Sequence, residues 1–183
     1  MSKRALGLLE FKSVAKGIEV LDEVLKSSNV ELMMANPICP GKYIGIISGE
    51  IAAVTNGIKV GENLGGVFLI EAIVISNLHE AVIPAMLGSN FAEIKGAIGI
   101  IETMSALGAI QVADIAIKAS NIQLVEVRIA RGLGGKGFTI FTGEISSVKN
   151  ASEACSQAYR GTGEILCSSV VATPNKRLIQ SIL

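Results

Sequence analysis

The chain contains itself twice, and this limits its fold more than any other feature. ALGLLEFKSVAKGIEVLDEVLKSSN from Ala5 returns as AIGIIETMSALGAIQVADIAIKASN from Ala97, with ten identities in 25 positions at an offset of 92. The ten are Ala5, Gly7, Glu10, Ser13, Ile18, Val20, Asp22, Lys26, Ser28 and Asn29. They mix glycine, charged and apolar types, which helical periodicity alone does not produce. The likeness resumes at Gly41-Lys42 against Gly135-Lys136, now offset by 94, and runs through SGEIAAV from Ser48 and TGEISSV from Thr142. The second copy therefore carries two extra residues in one loop. So long a period exceeds the roughly 20 to 50 residues of solenoid repeats and suits two complete small domains in tandem. We set them at residues 1–90 and 91–183, with 90–96 as the linker. A fused pair does in one chain what a homodimer does in two, so symmetry should govern the function.

Two domains of this size have little core each, so they are expected to lean on one another or on partners. Half of the residues are hydrophobic and the mean hydropathy is positive. Yet the longest stretch without a charged residue is 12, Ala81 to Ala92, short of the roughly 18 a membrane span needs. The apolar excess is expected in subunit interfaces of a large assembly rather than in a membrane. Sixteen basic and sixteen acidic residues cancel, with no basic run and few aromatics, so the electrostatic footprint of a nucleic-acid binder is missing. At the amino terminus only Ala5 to Leu9 is apolar before Glu10, too short for a signal-peptide core. Three cysteines at irregular spacing argue against a disulfide framework, and a reducing cytosolic setting is expected.

Within the first copy, Ala5 to Phe11 reads as a buried strand. Ser13 is an N-cap candidate for a helix with apolar residues at Val14, Ile18, Leu21 and Leu25, and Ser105 repeats it before Ala106, Ile110, Ala113 and Ile117. VELMMANPI and KYIGIISG flank the turn Cys39-Pro40-Gly41 and read as adjacent strands. A short helix over 50–59, a loop over 61–66, a strand over 67–76 and a last helix over 80–87, interrupted near Pro84, complete the order βαββαβα. The second copy repeats it through VRIA, FTIFTG, a helix over 144–159, ILCSSVVA and a tail from Asn175 to Leu183. Four strands with helices on one face predict an α+β fold of two tandem ferredoxin-like domains.

These residues carry a resemblance. The doubled GLLEF…GIEVLDEVLKSSNV pattern, the Gly-Lys turn and SGEIAAV resemble the shell proteins of bacterial microcompartments, in their tandem-domain class, over nearly the whole chain. The ICPGK turn at Ile38 to Lys42 is most similar to the iron-sulfur-binding members of propanediol-utilisation compartments. The resemblance implies a flat, pseudo-hexameric homotrimer, a tile of the microcompartment shell with a pore on its three-fold axis. Its expected partners are other shell proteins and redox enzymes held inside, with neither nucleic acid nor membrane, and no enzymatic activity. Lys26 and Lys118 fall where the family keeps the edge lysine that meets its counterpart across the seam between tiles. Without the resemblance each would be a helix-end lysine favoured by the helix dipole. The family's Pro-Arg-Pro-His edge run is absent: this chain reads Asn77-Leu78-His79 and Thr173-Pro174-Asn175.

Cys39 taken alone is a small turn residue with a thiol. The match to the family's CPG turn instead implies that three Cys39 thiolates, one per subunit, bind one 4Fe-4S cluster per trimer at the central pore. One chain cannot build a four-cysteine site, since only Cys39, Cys155 and Cys167 are available and their spacing fits none of the familiar runs. Pro37 and Pro40 stiffen the turn, and Gly41 lets the chain pass closely at the axis. An oxidised cluster with three thiolates carries about −1, which backbone N–H groups and an inward-pointing Lys42 would stabilise. Zinc held by the same three thiolates is the chemical competitor. The expected pore lining is Ile38, Pro40, Gly41 and Lys42 from one turn and Gly132, Leu133, Gly134 and Gly135 from the other.

Gly132, Gly134 and Gly137 spell G-x-G-x-x-G, but FTIFTG follows, a strand where a dinucleotide fingerprint needs a helix; it reads as a glycine-rich turn. His79, the only histidine, has no triad partner nearby and reads as a surface residue at a strand-to-helix junction. Glu10 and Glu102 recur at the ends of the first strands; paired carboxylates can do acid-base work, though repeated positions are more often structural. Cys155 and Cys167 read as buried small hydrophobes. The tile that carries electrons through its cluster has two rivals. One is a cluster-free tile whose pore passes small metabolites, the other a ferredoxin-like regulator that binds a small molecule.

Overall fold

The structure is a computed structural model that describes residues 4–89, 92–129 and 132–182. Its elements follow the expected order twice. The first set is β1 (Arg4–Phe11), α1 (Val14–Ser27), β2 (Glu31–Ile38), β3 (Lys42–Glu50), α2 (Ile51–Gly65), β4 (Leu69–Ile75) and α3 (Val82–Leu87). The second is β5 (Ala97–Thr103), α4 (Ala106–Ala119), β6 (Gln123–Ile129), β7 (Gly137–Gly143), α5 (Ile145–Ala158), β8 (Ile165–Val171) and α6 (Lys176–Ile182). Each set makes one four-stranded antiparallel sheet, ordered β2-β3-β1-β4 and β6-β7-β5-β8, which is the ferredoxin-like arrangement. The duplication reaches into irregularities, since β2 is bulged between Leu32 and Met34 and β6 between Leu124 and Glu126, at the same place in the repeat. No helix among the described residues is long and apolar enough to cross a membrane.

Strand β1 is buried on both faces, which explains its almost unbroken apolar run. Ala5, Leu9 and Phe11 join Tyr43 and Ile47 against Val20, Leu21 and Val24 of α1 and Val54 and Ile58 of α2. Leu6 and Leu8, on the opposite face, are equally buried with Ile44 and Ile46. Both helix starts are capped as expected: Ser13 accepts from the Lys16 N–H at 3.3 Å and Ser105 from the Gly108 N–H at 2.9 Å.

Three local expectations need correction. Helix α2 runs to Gly65 and absorbs the loop expected over 61–66. Gly61 and Gly65 act there as close-packing residues: a Cβ at Gly61 would stand 2.6 Å from Leu9, and one at Gly65 3.0 Å from Phe11. Pro84 does not interrupt α3, because it lies in the first turn, where no helical N–H is lost. The segment from Asn175 is a helix, α6, rather than a tail.

The chain divides into compact units between Leu78 and His79, not near 90. The cause is α3, which closes the first repeat in sequence but packs on β6 and α4 through buried Val82, Ala85 and Met86. Asn90 and Phe91, at the expected boundary, lie outside the described residues.

Candidate functional site

Cys39 sits at the tip of the β2–β3 hairpin, half-buried, with a free thiol. The antiparallel register that pairs Ile38 with Lys42 leaves only Cys39, Pro40 and Gly41 in the turn. The Cys39–Pro40 peptide is cis, and Gly41 takes a left-handed φ of +74° with open space where a side chain would stand. Pro40 and Gly41 are exposed, whereas Ile38 is buried within its own unit and so departs from the expected lining. The corresponding tip, between β6 and β7, carries Gly132, Gly134 and Gly135 at positive φ, closed by the Lys136 N–H donating to the Leu133 carbonyl at 3.2 Å. Gly132 and Gly134 are exposed, Leu133 is half-buried and Gly135 is buried. The glycine motif opens strand β7 and not a helix, as its sequence context required.

Lys42 does not point away from its chain toward the turn. Its ammonium lies 2.6 Å from Glu10 Oε1, a carboxylate 1% exposed on β1. The second repeat places Lys136 and Glu102 together as well, but at 3.7 Å and with both side chains more than two-fifths exposed. The recurrence of Glu10 and Glu102 is therefore a structural ion pair, buried in one copy and wet in the other. Sequence reasoning noted the carboxylates and the lysines separately; their shared place in the repeat was the signal that could have joined them.

The other two cysteines differ. Cys155 is fully buried on α5, its thiol 3.5 Å from the Val112 carbonyl, and burial pushes its pKa up to about 12. Cys167 is exposed, contrary to expectation, because β8 is an edge strand whose residues from Leu166 to Ser169 are all exposed. Among the described residues no three His, Cys, Asp or Glu side chains of one chain gather to hold a metal.

Lys26 and Lys118 end α1 and α4. Lys26 pairs with Asp22 and, at 3.1 Å, with Glu23; hydrogen bonds to these carboxylates, Asp22 first, raise its pKa. Lys118 pairs with Asp114 at 2.5 Å. Asp22 and Asp114 went unnoticed as site residues, although both belong to the set shared by the repeats and stand four residues before their lysines. His79 lies at the strand-to-helix junction as expected, and its Nδ1 accepts the Ala81 N–H at 3.2 Å.

Comparison with known proteins gives these features a context. The BMC domain matches residues 5–78 and again 97–174. The bacterial microcompartment shell protein PduT of Citrobacter freundii is 39% identical over 175 residues, covering 96% of this chain and 95% of that protein. The carboxysome assembly protein CcmO of Synechocystis is 29% identical, over 90% of this chain and 59% of its own. The crystal structure of a microcompartment protein from Desulfitobacterium hafniense superposes with a TM-score of 0.91 at 35% identity, covering 97% of this chain and 98% of that one. Two tandem matches and full-length relatives leave one reading: the chain belongs to the BMC-domain family and is a structural shell protein of a bacterial microcompartment.

Proposed function

We propose that this shell protein is a homotrimeric tile that meets other shell proteins at its edges and holds one 4Fe-4S cluster through three Cys39 thiolates at its central pore. The observation that carries the cluster is the half-exposed Cys39 thiol at a hairpin tip, next to a glycine with open space beside it. The donor chemistry fits the group: one hairpin-tip thiol per chain becomes three soft ligands around a three-fold axis, and thiolate is the ligand such clusters take. Cys155 is sealed in the core, and Cys167, though exposed, lies on strand β8 and not in a hairpin turn. When bound, the cluster supplies single-electron transfer, which in a shell wall would run between lumen and cytosol and serve redox enzymes inside.

This chain's own residues do the rest. Pro40 and Gly41 hold the thiol at the tip, while Lys42, neutralised by Glu10, leaves stabilisation of the anionic site to backbone N–H groups. The trimer reading is supported by two exposed parts, the apolar residues Ile18 and Leu32 on α1 and β2 and the helix α6, which would meet head to tail between copies. A Cys39→Ser variant tests the reading. It should lose iron and brown colour while sedimenting as the same trimer. A variant that keeps its iron sinks the Cys39 ligation, because the metal is then held by other residues.

A further inference from the structure

The two repeats are the same fold in two states of coverage. In the second, α3 lies on β6 and α4: Leu124 is 1% exposed, Ile110 is 0% and Asp114 is 7%. At the matching positions of the first, Leu32 is 46% exposed and Ile18 52%, and the Asp22 side chain is 59% exposed. The counterpart of that helix, α6, is itself exposed. Val82 of α3 is 0% exposed, whereas Leu178, its counterpart on α6, is 48% exposed, and no residue of α6 is buried. The approach to each helix is also duplicated. Four residues after β4 comes His79, whose Nδ1 accepts the Ala81 N–H; four residues after β8 comes Asn175, whose Oδ1 accepts the Arg177 N–H at 2.9 Å.

In the covered repeat one carboxylate ties these parts together. Asp114 Oδ1 accepts the backbone N–H of His79 at 2.8 Å, and Asp114 Oδ2 accepts from Lys118, the edge lysine, at 2.5 Å. We propose that Asp22 does the same between chains: its carboxylate accepts the Asn175 backbone N–H of a second copy of this chain, whose α6 covers Leu32 and Ile18, while it orients Lys26. The proposal rests on the head-to-tail ring of the preceding subsection and adds a coupling to it. Asp22 is a positioning residue, acting on the seam between tiles through Lys26. The seam lysine of the first repeat therefore acquires the surroundings of Lys118 only once the ring has closed, so closed tiles join into sheets and open chains do not.

The test compares the full-length wild type with Asp22→Ala, Asp22→Asn and Lys26→Ala. It uses sedimentation on dilution, amide hydrogen exchange of residues 173–178, and electron microscopy of sheets. Asp22→Ala should raise the dissociation constant of each ring interface about tenfold or more, as expected for a lost hydrogen bond to a charged acceptor. It should speed exchange at residues 173–178 by a similar factor and abolish sheets. In Asp22→Asn the amide oxygen still accepts the N–H, so ring and exchange persist while sheets weaken. Lys26→Ala should lose sheets alone. If Asp22→Ala trimerises and exchanges like the wild type, or if Asp22→Asn opens the ring as readily as Asp22→Ala, the proposal is overturned. A wild type that fails to trimerise overturns the ring reading itself, and this is seen before any variant is made.

Discussion

Replacing Lys42 by Met should destabilise the first repeat far more than the same change at Lys136 destabilises the second. The two lysines share one place in the repeat and one type of partner, so the contrast isolates burial. Glu10 is 1% exposed and its lysine stands 2.6 Å away. Removing one member of a buried pair strands the other charge and costs roughly 3–5 kcal/mol; with Lys42 still 28% exposed, the lower end, about 3 kcal/mol, is expected. Lys136 and Glu102 lie 3.7 Å apart with 43% and 44% exposure, a geometry worth about 0–1 kcal/mol. Methionine keeps most of the aliphatic stem, so packing changes little. For a unit of this size each kcal/mol moves the melting temperature by about 4–8 °C, which puts Lys42→Met more than about 12 °C below wild type and Lys136→Met within about 8 °C. The assay is calorimetry at fixed protein concentration, with Glu10→Gln/Lys42→Met as the double variant that should recover most of the loss. Equal shifts for the two lysines would refute the reasoning.

Three further outcomes are expected. Gly99→Ala should cost about 1–3 kcal/mol by urea unfolding, because its Cβ would stand 2.2 Å from the ring of fully buried Phe141; an unchanged midpoint would contradict that packing. In the folded protein stripped of metal a thiol reagent should label Cys39 and Cys167 and spare Cys155 until denaturant is added. Above pH 9 the unfolded chain releases the Cys155 proton while the folded one holds it to about 12. Stability should then fall by roughly 1.4 kcal/mol per pH unit from this group, a slope that Cys155→Ala removes.

The duplication was legible because ten identities of mixed chemistry cannot come from periodicity, and with it came the strand order and both serine caps. What stayed hidden depends on contacts far apart in sequence. Gly61 and Gly65 look like breakers until Leu9 and Phe11 are seen beneath them. The helix α3 reads as the end of the first domain because the repeat ends there, yet β6 and α4 bury it. Cys167 alternates like a core residue, and only the strand order puts it on an edge. The Glu10–Lys42 pair needed the register of β1 against β3, which brings residues 32 apart in sequence to one side of the sheet. Cys39 was found in the sequence through its turn; its exposure and the direction taken by Lys42 were not.

The central claim is a cluster held by three Cys39 thiolates. Protein purified without oxygen should be analysed for iron and acid-labile sulfide per trimer, with an electron paramagnetic resonance spectrum after reduction. The account predicts about four of each with a reduced-cluster signal, all absent in Cys39→Ser. Wild-type trimer containing neither iron nor sulfide would contradict it and leave Cys39 as a thiol at the mouth of a metabolite pore.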